Sequence, residues 1–397
     1  MIPNKNTFCI APYQHVDIDP QGKLKICCVS DEKSNHKYND IEEWFQSTTL
    51  KNLRSNLEAG IRDPICNWCW KHEDNGQESQ RQIYNRHIGK ILEEHWDKNF
   101  IKNNDLIDSI KNVSTANIKS FDLKLGNLCN LKCIMCMPTA SSQLYAEAKL
   151  HTPLRKLYND DYNNVNADYK YAEKTQFKDW CDKFLTKSIH IKFTGGEPFM
   201  NPYLLETLTS IPDHQKSKCI LHFTTNLTKI NSEILEVFDK YKEVWISVSV
   251  EGIGAVLEYA RYGHKWENLE KNLDQITGRE NVHVSISHVV QAPTFNGVQE
   301  LVDYFDDKAL TIQPILLRSP ECYQLSAIKT KYKQDFLKRF ENYKGYNSKF
   351  MDAVSNFVRS NLDHDENLAD QCVSRLRAFD KVRKNNFQNI IPVDYFL

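Results

Sequence analysis

Three cysteines lie within one short stretch of this chain, Cys129, Cys133 and Cys136, in the spacing Cys-x3-Cys-x2-Cys. Thiolates this close together are typical ligands of iron–sulfur clusters and of structural zinc. A cluster that only carries electrons normally takes four cysteines, so three leave one iron without a protein ligand. An open coordination position is typical of a metal site that activates a molecule. The spacing therefore favours a cluster with one open iron, and a structural zinc site is the alternative.

A second motif, Thr194-Gly-Gly-Glu-Pro-Phe199, follows the apolar run Ile189–Phe193, which predicts a strand. Gly195 and Gly196 would let the backbone approach a ligand closely, because they carry no Cβ atom. The alternative interpretation is an ordinary turn between a strand and a helix.

Five further cysteines lie near the amino terminus: Cys9, Cys27, Cys28, Cys66 and Cys69. The alternating stretch His15–Ile26 predicts a β-hairpin with its turn at Asp19–Gly22, which would bring Cys9 and Cys27 together. Neighbouring residues on a strand point to opposite faces, so one cluster would take only one of Cys27 and Cys28. We predict a second site with these ligands: Cys9, Cys27, Cys66 and Cys69, with Cys28 as the alternate for Cys27. A four-cysteine zinc site is the alternative.

The composition limits the classes of protein that fit. With 397 residues, 41% of them hydrophobic, the chain is long enough for two or three domains with buried cores. Its 51 Lys and Arg balance 52 Asp and Glu, so the net charge of -1 gives no evidence for a nucleic-acid or membrane partner. We see no signal peptide and no spanning run of about 20 apolar residues, and expect a cytoplasmic protein. The twelve cysteines then favour metal ligation over disulfides.

Six apolar runs predict the strands of an α/β fold: Phe121–Leu125, Ile189–Phe193, Cys219–Thr224, Val244–Val250, Val282–Val290 and Leu310–Leu316. Helical patterns lie between them, for example Asn231–Asp239 and Asn296–Phe305. This alternation predicts parallel βα units with right-handed crossovers, and six units make a partial (β/α)6 TIM-like barrel. Both motifs follow strands, so we expect them at the carboxyl ends, where barrel active sites assemble.

Four regions are predicted along the chain. They are an auxiliary cluster module with the β-hairpin at 1–85, a helical linker at 86–117, the barrel at 118–320 and a helical carboxyl-terminal region at 321–397. The polar stretch 151–178 interrupts the barrel pattern and is interpreted as an insertion, either a lid or a solvated loop. The carboxyl-terminal helices are expected at Ile328–Tyr343, Lys349–Leu362 and Leu368–Arg383.

Both motifs of the predicted barrel resemble the signatures of the radical SAM superfamily. The amino-terminal segment resembles the auxiliary-cluster fold of the SPASM and twitch branch of that superfamily, through Phe8-Cys-Ile-Ala-Pro12, Asp19-Pro-Gln-Gly22, Cys27-Cys28 and Cys66-x2-Cys69. Because this segment precedes the barrel, the arrangement is similar to twitch-domain radical SAM proteins with an amino-terminal cluster module. The resemblance implies a [4Fe-4S] cluster that binds S-adenosylmethionine (SAM), and an auxiliary [4Fe-4S] cluster.

The resemblance also implies an enzyme. In that family the reduced cluster cleaves SAM to methionine and a 5′-deoxyadenosyl radical, which abstracts hydrogen from a substrate. Relatives with auxiliary clusters often act on peptides or proteins, so we expect such a substrate, with a small metabolite as the alternative. The auxiliary cluster would assist electron transfer or substrate binding, and a flavodoxin or ferredoxin would donate electrons. A hypothesis from another class is a non-catalytic, cysteine-rich metal-binding scaffold.

Several SAM-binding residues are implied by the resemblance alone. The methionine amino group would contact the segment Gly195, Gly196, Glu197 and Pro198. Asn226 lies where relatives have a Thr-Asn-Gly turn near SAM, with Leu227 in place of the glycine. Met135 lies where the family often has an aromatic residue against adenine, and a thioether can pack there too.

Two further residues are assigned to the ribose or carboxylate of SAM by the same resemblance. They are Ser249, at the end of the fourth strand, and Arg261, in the following helical region. Cys322, just after the sixth strand, is a candidate hydrogen donor, and inert packing is its alternative role.

Overall fold

The structure, a computed structural model, describes residues 6–31, 41–74, 78–86, 115, 118–163, 165, 175–317 and 319–397. The described residues form two compact units. The first unit takes them from 1–126, 167–223 and 232–244, and the second from 127–166, 224–231 and 245–397. The predicted linker 86–117 lies outside the described residues except at 86 and 115. The division into a cluster module, linker, barrel and helical region stays a prediction.

Ten strands are present in the described part of the chain. They are β1 His15–Ile18, β2 Leu24–Lys25, β3 Ser120–Leu123, β4 Lys132–Cys133, β5 His190–Phe193, β6 Ile220–Thr225, β7 Glu243–Ser249, β8 Arg261–Tyr262, β9 Val282–Val290 and β10 Ile312–Leu316. The six strands predicted from apolar runs all form, as β3, β5, β6, β7, β9 and β10. Their β-branched and aromatic residues favour strands, which is why the apolar runs predict them well.

The strands of the first unit form a mostly parallel sheet in the order β2-β1-β3-β5-β6. The predicted hairpin is confirmed, since β1 and β2 pair antiparallel. β1 also pairs parallel with β3, so the hairpin extends the sheet. In the hairpin turn, Asp19 Oδ1 accepts hydrogen bonds from the backbone N–H groups of Gln21 at 2.8 Å and Lys23 at 2.9 Å.

The two faces of this sheet differ in chemistry. Four residues paired across the strands form a buried apolar row on one face: Val16, Phe121, Ile191 and Leu221. The next residue of each strand faces the other side, because side chains alternate. Those residues are Asp17, Asp122, Lys192 and His222. Burial opposes the ionisation of Asp122, but Lys124 and Lys192 hold the pKa of this carboxyl below its usual value. The polar face is therefore stabilised by paired charges.

The helices of the first unit are Ala11–Gln14, Ile41–Phe45, Thr48–Glu58, Asn67–Asp74, Thr175–Phe184, Tyr203–Ser210, Asp213–Lys216 and Ser232–Phe238. Those of the second unit are Ser142–Leu150, Thr152–Asn163, Ala255–Ala260, Trp266–Ile276, Val298–Asp307, Thr330–Phe340, Ser348–Ser360 and Glu366–Arg383. The helices predicted near 231–239 and 296–305 and the three carboxyl-terminal helices all form.

The predicted insertion differs from the expectation. Its first part is the helix Thr152–Asn163 and not a loop, whereas residues 164 and 166–174 lie outside the described residues. Leu154 and Tyr158 are buried and lie four residues apart, on one face of this helix. Because most residues around these two positions are polar, the sequence shows no clear helical spacing of apolar residues there.

In the second unit, β9 and β10 pair in parallel, with Ile286 opposite Ile312. The backbone N–H of Val250, just after β7, donates to the carbonyl of Ser287 in β9 at 3.0 Å. A separate antiparallel pair is formed by β4 and β8. The sequence did not predict this pair, because strands of two residues show no periodicity.

The α/β class with parallel strands is therefore confirmed, and closure into a partial barrel stays a prediction. Among the described helices, none is both long enough and apolar enough to cross a membrane.

The hairpin turn gives a test of the fold. Replacing Asp19 with Ala removes the acceptor of two backbone N–H groups and should lower the free energy of unfolding by about 1 to 2 kcal/mol. Asp19→Asn keeps an acceptor oxygen and is the matched control. Urea unfolding followed by circular dichroism measures both variants, and equal stability of Asp19→Ala and wild type would contradict the role of this side chain.

Candidate functional site

The three cysteines of the Cys-x3-Cys-x2-Cys motif lie together in the second unit. Cys129 and Cys133 are buried with Leu131, and Met135 and Cys136 pack against them. Burial raises the pKa of the Cys136 thiol to about 11, and the nearby Cys129 adds to this rise. Burial likewise raises the pKa of Cys133, and both other thiols add to it. The three sulfurs therefore share one environment.

Backbone contacts hold this loop in place. Cys133 lies in β4, opposite Arg261 in β8, and the N–H of Ile134 donates to the carbonyl of Ala260 at 2.9 Å. Ser141 Oγ donates to the carbonyl of Leu131 at 2.7 Å, and Leu131 and Ile134 are fully buried. The apolar residues between the cysteines thus anchor the loop.

The helix Ser142–Leu150 contributes further to the loop. Its N-cap, Ser141, accepts a hydrogen bond from the N–H of Leu144 at 3.1 Å. Ser142 Oγ accepts from the N–H of Cys129 at 3.2 Å. Ser141 and Ser142 were not assigned a role from the sequence. Serine directly before a helix is a capping signal that could have identified them.

Two side-chain donors point at the sulfurs. Asn226 Nδ2 lies 3.9 Å from Cys129 Sγ, and Arg261 Nη1 lies 3.9 Å from Cys133 Sγ. Asn226 Oδ1 accepts hydrogen bonds from the N–H of Thr228 at 2.9 Å and from its hydroxyl at 2.7 Å, which fixes the orientation of the amide. Donors of this kind stabilise thiolates and orient them as metal ligands.

Arg261 is held by Glu251, whose carboxylate is fully buried. Arg261 Nη2 donates to Glu251 Oε1 at 2.9 Å, and Nε donates to Oε2. Burial alone would lower the pKa of Arg261, but Glu251 and Cys133 raise it above its usual value. The prediction that Arg261 lies in a helical region was wrong: the helix ends at Ala260 and Arg261 begins β8. The strand pairing directs the guanidinium toward Cys133.

The turn after β6 keeps a glycine-like backbone without glycine. Leu227 has φ of 52°, in the left-handed region that side chains with a Cβ rarely adopt. Its N–H donates to Thr225 Oγ1 at 2.8 Å, its carbonyl accepts from Asn272 Nδ2 at 2.9 Å, and its side chain is fully buried. These contacts compensate for the strained backbone, which positions Asn226.

The Gly-Gly-Glu-Pro segment belongs to the first unit. Gly195 and Gly196 both have positive φ, of 70° and 52°. A Cβ atom at Gly195 would lie 2.7 Å from Lys124 Cβ, so only glycine fits there. Glu197 is buried and accepts a hydrogen bond from the N–H of Phe199 at 3.1 Å, at the start of the short helix Pro198–Met200. Binding of SAM by this segment stays a prediction.

The remaining predicted residues are placed as follows. Ser249 is the half-buried last residue of β7, and Met135 packs against the cysteine loop. Cys322 is buried in the short helix Glu321–Tyr323. Their roles stay predictions. Glu251 was not assigned a role from the sequence, because nothing local to it reveals its distant partner.

A second group of cysteines lines one small cavity in the first unit. Its lining includes Cys9, Cys27, Cys66 and Cys69, together with Arg81 and Tyr84. Burial raises the pKa of the Cys9 thiol to about 12. Burial also raises the pKa of Cys66, and the Cys9 and Cys69 thiols add to this rise. The four predicted ligands thus lie around one space.

The backbone brings these cysteines together through local turns. Cys66 ends the short helix Pro64–Cys66, which is capped by Asp63 Oδ1 accepting from the N–H of Ile65 at 2.9 Å. The N–H of Asp31 donates to the carbonyl of Ile65 at 3.1 Å, which joins the Cys27 turn to the Cys66 turn.

Cys28 has different neighbours from Cys27. Besides burial, the thiols Cys28, Cys9 and Cys66 raise the pKa of Cys27, and a backbone hydrogen bond from Val29 lowers it. Those that influence Cys28 after burial are the charges of the polar sheet face, Lys192 first. The two cysteines follow β2, which ends at Lys25, so they lie in a turn and not on the predicted strand. The two cysteines nevertheless have different surroundings: Cys27 lines the cavity, whereas Cys28 lies near the charges of the polar sheet face.

Within the described ranges, no three His, Cys, Asp or Glu side chains are placed to hold a single metal ion. The residue types of both cysteine groups fit iron–sulfur clusters, whose ligands are thiolates spread over several irons. The Cys9 group lines one cavity, and the Cys129 group packs in one cluster.

Comparison with known proteins finds a family model that matches the segment containing the cysteine loop. Residues 123–304 match the family model of the Radical SAM superfamily. The predicted resemblance is therefore confirmed for a radical SAM domain in this segment, which contains Cys129, Cys133, Cys136, Asn226 and Arg261. The SPASM and twitch assignment stays a prediction.

Individual proteins are similar over shorter or looser matches. An uncharacterized protein of Methanocaldococcus jannaschii is 30% identical over 140 residues, which are 34% of this chain and 40% of that protein. SuiB of Streptococcus suis bound to S-adenosylmethionine shares 16% identity at a TM-score of 0.36, over 59% of this chain and 49% of SuiB. SuiB bound to precursor peptide SuiA shares 14% identity at a TM-score of 0.39, over 66% of this chain and 62% of SuiB. The chain thus spans less than two thirds of each.

The ion pair beside Cys133 gives a test of the site. Glu251→Gln leaves the buried Arg261 guanidinium without its carboxylate and should lower the free energy of unfolding by about 3 to 5 kcal/mol. Glu258→Gln, which breaks a more exposed pair with Lys265, should cost less than about 1 kcal/mol. Guanidinium unfolding of both variants tests this, and equal losses would show that the Glu251 pair has no special importance.

Proposed function

We propose that this protein is a radical SAM enzyme in which Cys129, Cys133 and Cys136 hold a [4Fe-4S] cluster. The observation that carries the proposal is the group of three buried thiols in one loop, with nitrogen donors directed at two of them, inside the segment that matches the family. When bound, such a cluster would supply one electron to SAM, giving a 5′-deoxyadenosyl radical that abstracts hydrogen from the substrate.

The residues in and around the loop hold the cysteine sulfurs in place and supply a positive charge beside them. Because burial raises the pKa values of Cys133 and Cys136, these thiols are protonated in the cluster-free protein, and ligation releases their protons. The Arg261 guanidinium lowers both pKa values and so favours the thiolate form. Burial of Leu131 and Ile134 keeps water from the inner side of the loop.

The SAM-binding roles extend this proposal. We assign the methionine amino group to Gly195, Gly196, Glu197 and Pro198, and the rest of SAM to Met135, Asn226, Ser249 and Arg261. The positive φ angles of Gly195 and Gly196 support close backbone approach to a ligand. Arg261 already donates to Glu251 and directs Nη1 at Cys133. If Arg261 also contacts SAM, the same guanidinium must serve all three groups.

We also propose that Cys9, Cys27, Cys66 and Cys69 hold an auxiliary cluster. The shared cavity and the mutual effects of these thiols on their pKa values support this set. Four cysteines fill every corner iron, so the cluster would carry electrons or position substrate and not bind SAM. The different surroundings of Cys28 argue against its use as a ligand.

The proposed substrate is a peptide or protein, with a small metabolite as the alternative, and flavodoxin or ferredoxin is the proposed electron donor. These assignments follow the resemblance to auxiliary-cluster radical SAM proteins. The competing function is a cysteine-rich scaffold that binds metal and does not cleave SAM. The two functions differ in one measurable product, 5′-deoxyadenosine.

Cleavage of SAM is one test of the proposed function. Anaerobically reconstituted wild type, given SAM and dithionite, should release 5′-deoxyadenosine, and Cys133→Ala should release none, because two thiolates do not retain the cluster. Cys181→Ala, at a buried cysteine with no assigned ligand role, is the control and should keep the activity. Mass spectrometry measures the product. Full SAM cleavage by Cys133→Ala, or none by wild type, would contradict the proposal.

The iron content tests the proposed auxiliary cluster. A Cys66→Ala and Cys69→Ala double variant should lose about four iron atoms per chain while the cluster of the Cys129 loop remains. Cys28→Ala should keep the iron content of wild type, and Cys27→Ala should lower it. Iron and sulfide quantitation after reconstitution provides the measurement. Zinc in the purified wild type, or unchanged iron in the double variant, would refute the auxiliary cluster.

A further inference from the structure

The helix Glu366–Arg383 carries two buried arginines, Arg375 and Arg383, about two turns apart. Arg383 is neutralised, since its Nη2 lies 2.7 Å from Glu147 Oε2 and its Nε donates to Oε1 at 3.2 Å. Among the described residues, Arg375 has no carboxylate partner, and Nη1 donates only to the backbone carbonyl of Leu157 at 3.3 Å. The same helix thus presents one paired and one unpaired guanidinium.

Aromatic rings surround Arg375 and leave hydrogen-bonding atoms unused. Its Cζ lies 4.9 Å from the ring centre of Tyr158, 5.6 Å from that of Tyr323 and 5.7 Å from that of Phe379. Arg375 Nε and the hydroxyl oxygens of Tyr158 and Tyr323 are buried without a hydrogen-bond partner. These residues are only 7%, 5% and 0% exposed. An unsatisfied guanidinium N–H and two tyrosine hydroxyls therefore lie together, and the Tyr323 hydroxyl is close enough to Arg375 to raise the pKa of the guanidinium.

This arrangement is costly unless a ligand completes it. A buried charge without a partner is strongly unfavourable, and cation–π contacts recover only about 0.5 to 2 kcal/mol. Burial raises the pKa of Tyr158 and of Tyr323, so both hydroxyls stay protonated and can donate. A guanidinium N–H and two O–H donors that lie in one cluster of contacts match the oxygens of a carboxylate or phosphate.

The cluster also lies near residues of the proposed chemistry, within the second unit. The pKa of Tyr158 responds to the Cys136 thiol of the cysteine loop. Cys322, the candidate hydrogen donor, directly precedes Tyr323 in the chain, and the charge of Arg375 lowers the pKa of its thiol against the effect of burial. A molecule bound through Arg375 would therefore lie in the same unit as both cysteines.

We propose that Arg375, Tyr158 and Tyr323 bind an anionic group, a carboxylate or phosphate, of the molecule on which the enzyme acts. Naming that molecule as the substrate rests on the proposed function, whereas the anion site itself does not.

The test measures thermal unfolding of the reconstituted protein while acetate or phosphate replaces chloride at constant ionic strength. Wild type should show a saturable rise in Tm, and the more effective of the two anions distinguishes a carboxylate site from a phosphate site. Arg375→Met should weaken the apparent affinity at least about tenfold, because charge-assisted hydrogen bonds are lost. Arg377→Met, at an exposed arginine of the same helix, should respond like wild type. General salt effects act on all variants equally.

Two further measurements separate this site from a structural role. Without added anion, Arg375→Met should be at least as stable as wild type, because it removes an unpaired buried charge; a markedly lower Tm would overturn the proposal. Equal anion responses of Arg375→Met and wild type would overturn it as well. The Tyr158→Phe and Tyr323→Phe double variant is an independent check: a weaker anion response supports the site and an unchanged one refutes it.

The proposed function is scored separately, by 5′-deoxyadenosine release. Wild type that binds anions but does not cleave SAM would refute the radical SAM proposal and leave the anion site standing. Wild type that cleaves SAM but shows no saturable anion response would refute only the anion site.

Discussion

The cysteine loop depends on one buried ion pair. Glu251 is fully buried, and it holds the guanidinium of Arg261 beside Cys133. The strands that carry Arg261 and Cys133 have two residues each, too few to form a stable pair by themselves. The buried carboxylate and the apolar anchors Leu131 and Ile134 provide the missing stability. Because a buried charge without its partner is strongly unfavourable, the arginine stays where its positive charge favours thiolate sulfur.

Cysteines of the same chemistry are separated by their surroundings. Cys27 lies against other thiols around a cavity, whereas the next residue, Cys28, lies near the charged face of the sheet. Cys181 and Cys219 are buried as ordinary core residues. A thiol becomes a plausible cluster ligand when others converge on the same space, so the number of cysteines is less informative than their grouping. The same logic distinguishes Arg375 from Arg383, since Arg383 pairs with Glu147 whereas no carboxylate of the described residues pairs with Arg375.

Local patterns predicted the regular elements of the fold well. Apolar runs marked the long strands, for example β7 with its buried Val244, Ile246 and Val248, and alternation with a turn sequence marked the hairpin of β1 and β2. The helix Thr152–Asn163 was missed because its buried residues are few among many polar ones. The sequence did not predict the pair of β4 and β8, because a strand of two residues is too short to show an alternating pattern. The sequence predicted Arg261 in a helical region because a helix ends at the preceding residue, Ala260. The strand that Arg261 begins has only two residues and gives no pattern of its own.

The sequence by itself determined the cysteine spacing, the order of strands and helices and the family resemblance, since these depend on residues close together in the chain. Only the tertiary structure decided which thiols share a space, that Arg261 reaches Cys133 across 128 positions and that Arg375 faces no carboxylate among the described residues. The physical reason is that charge pairing and burial are set by contacts between distant segments. No local period in the chain encodes which segments will meet.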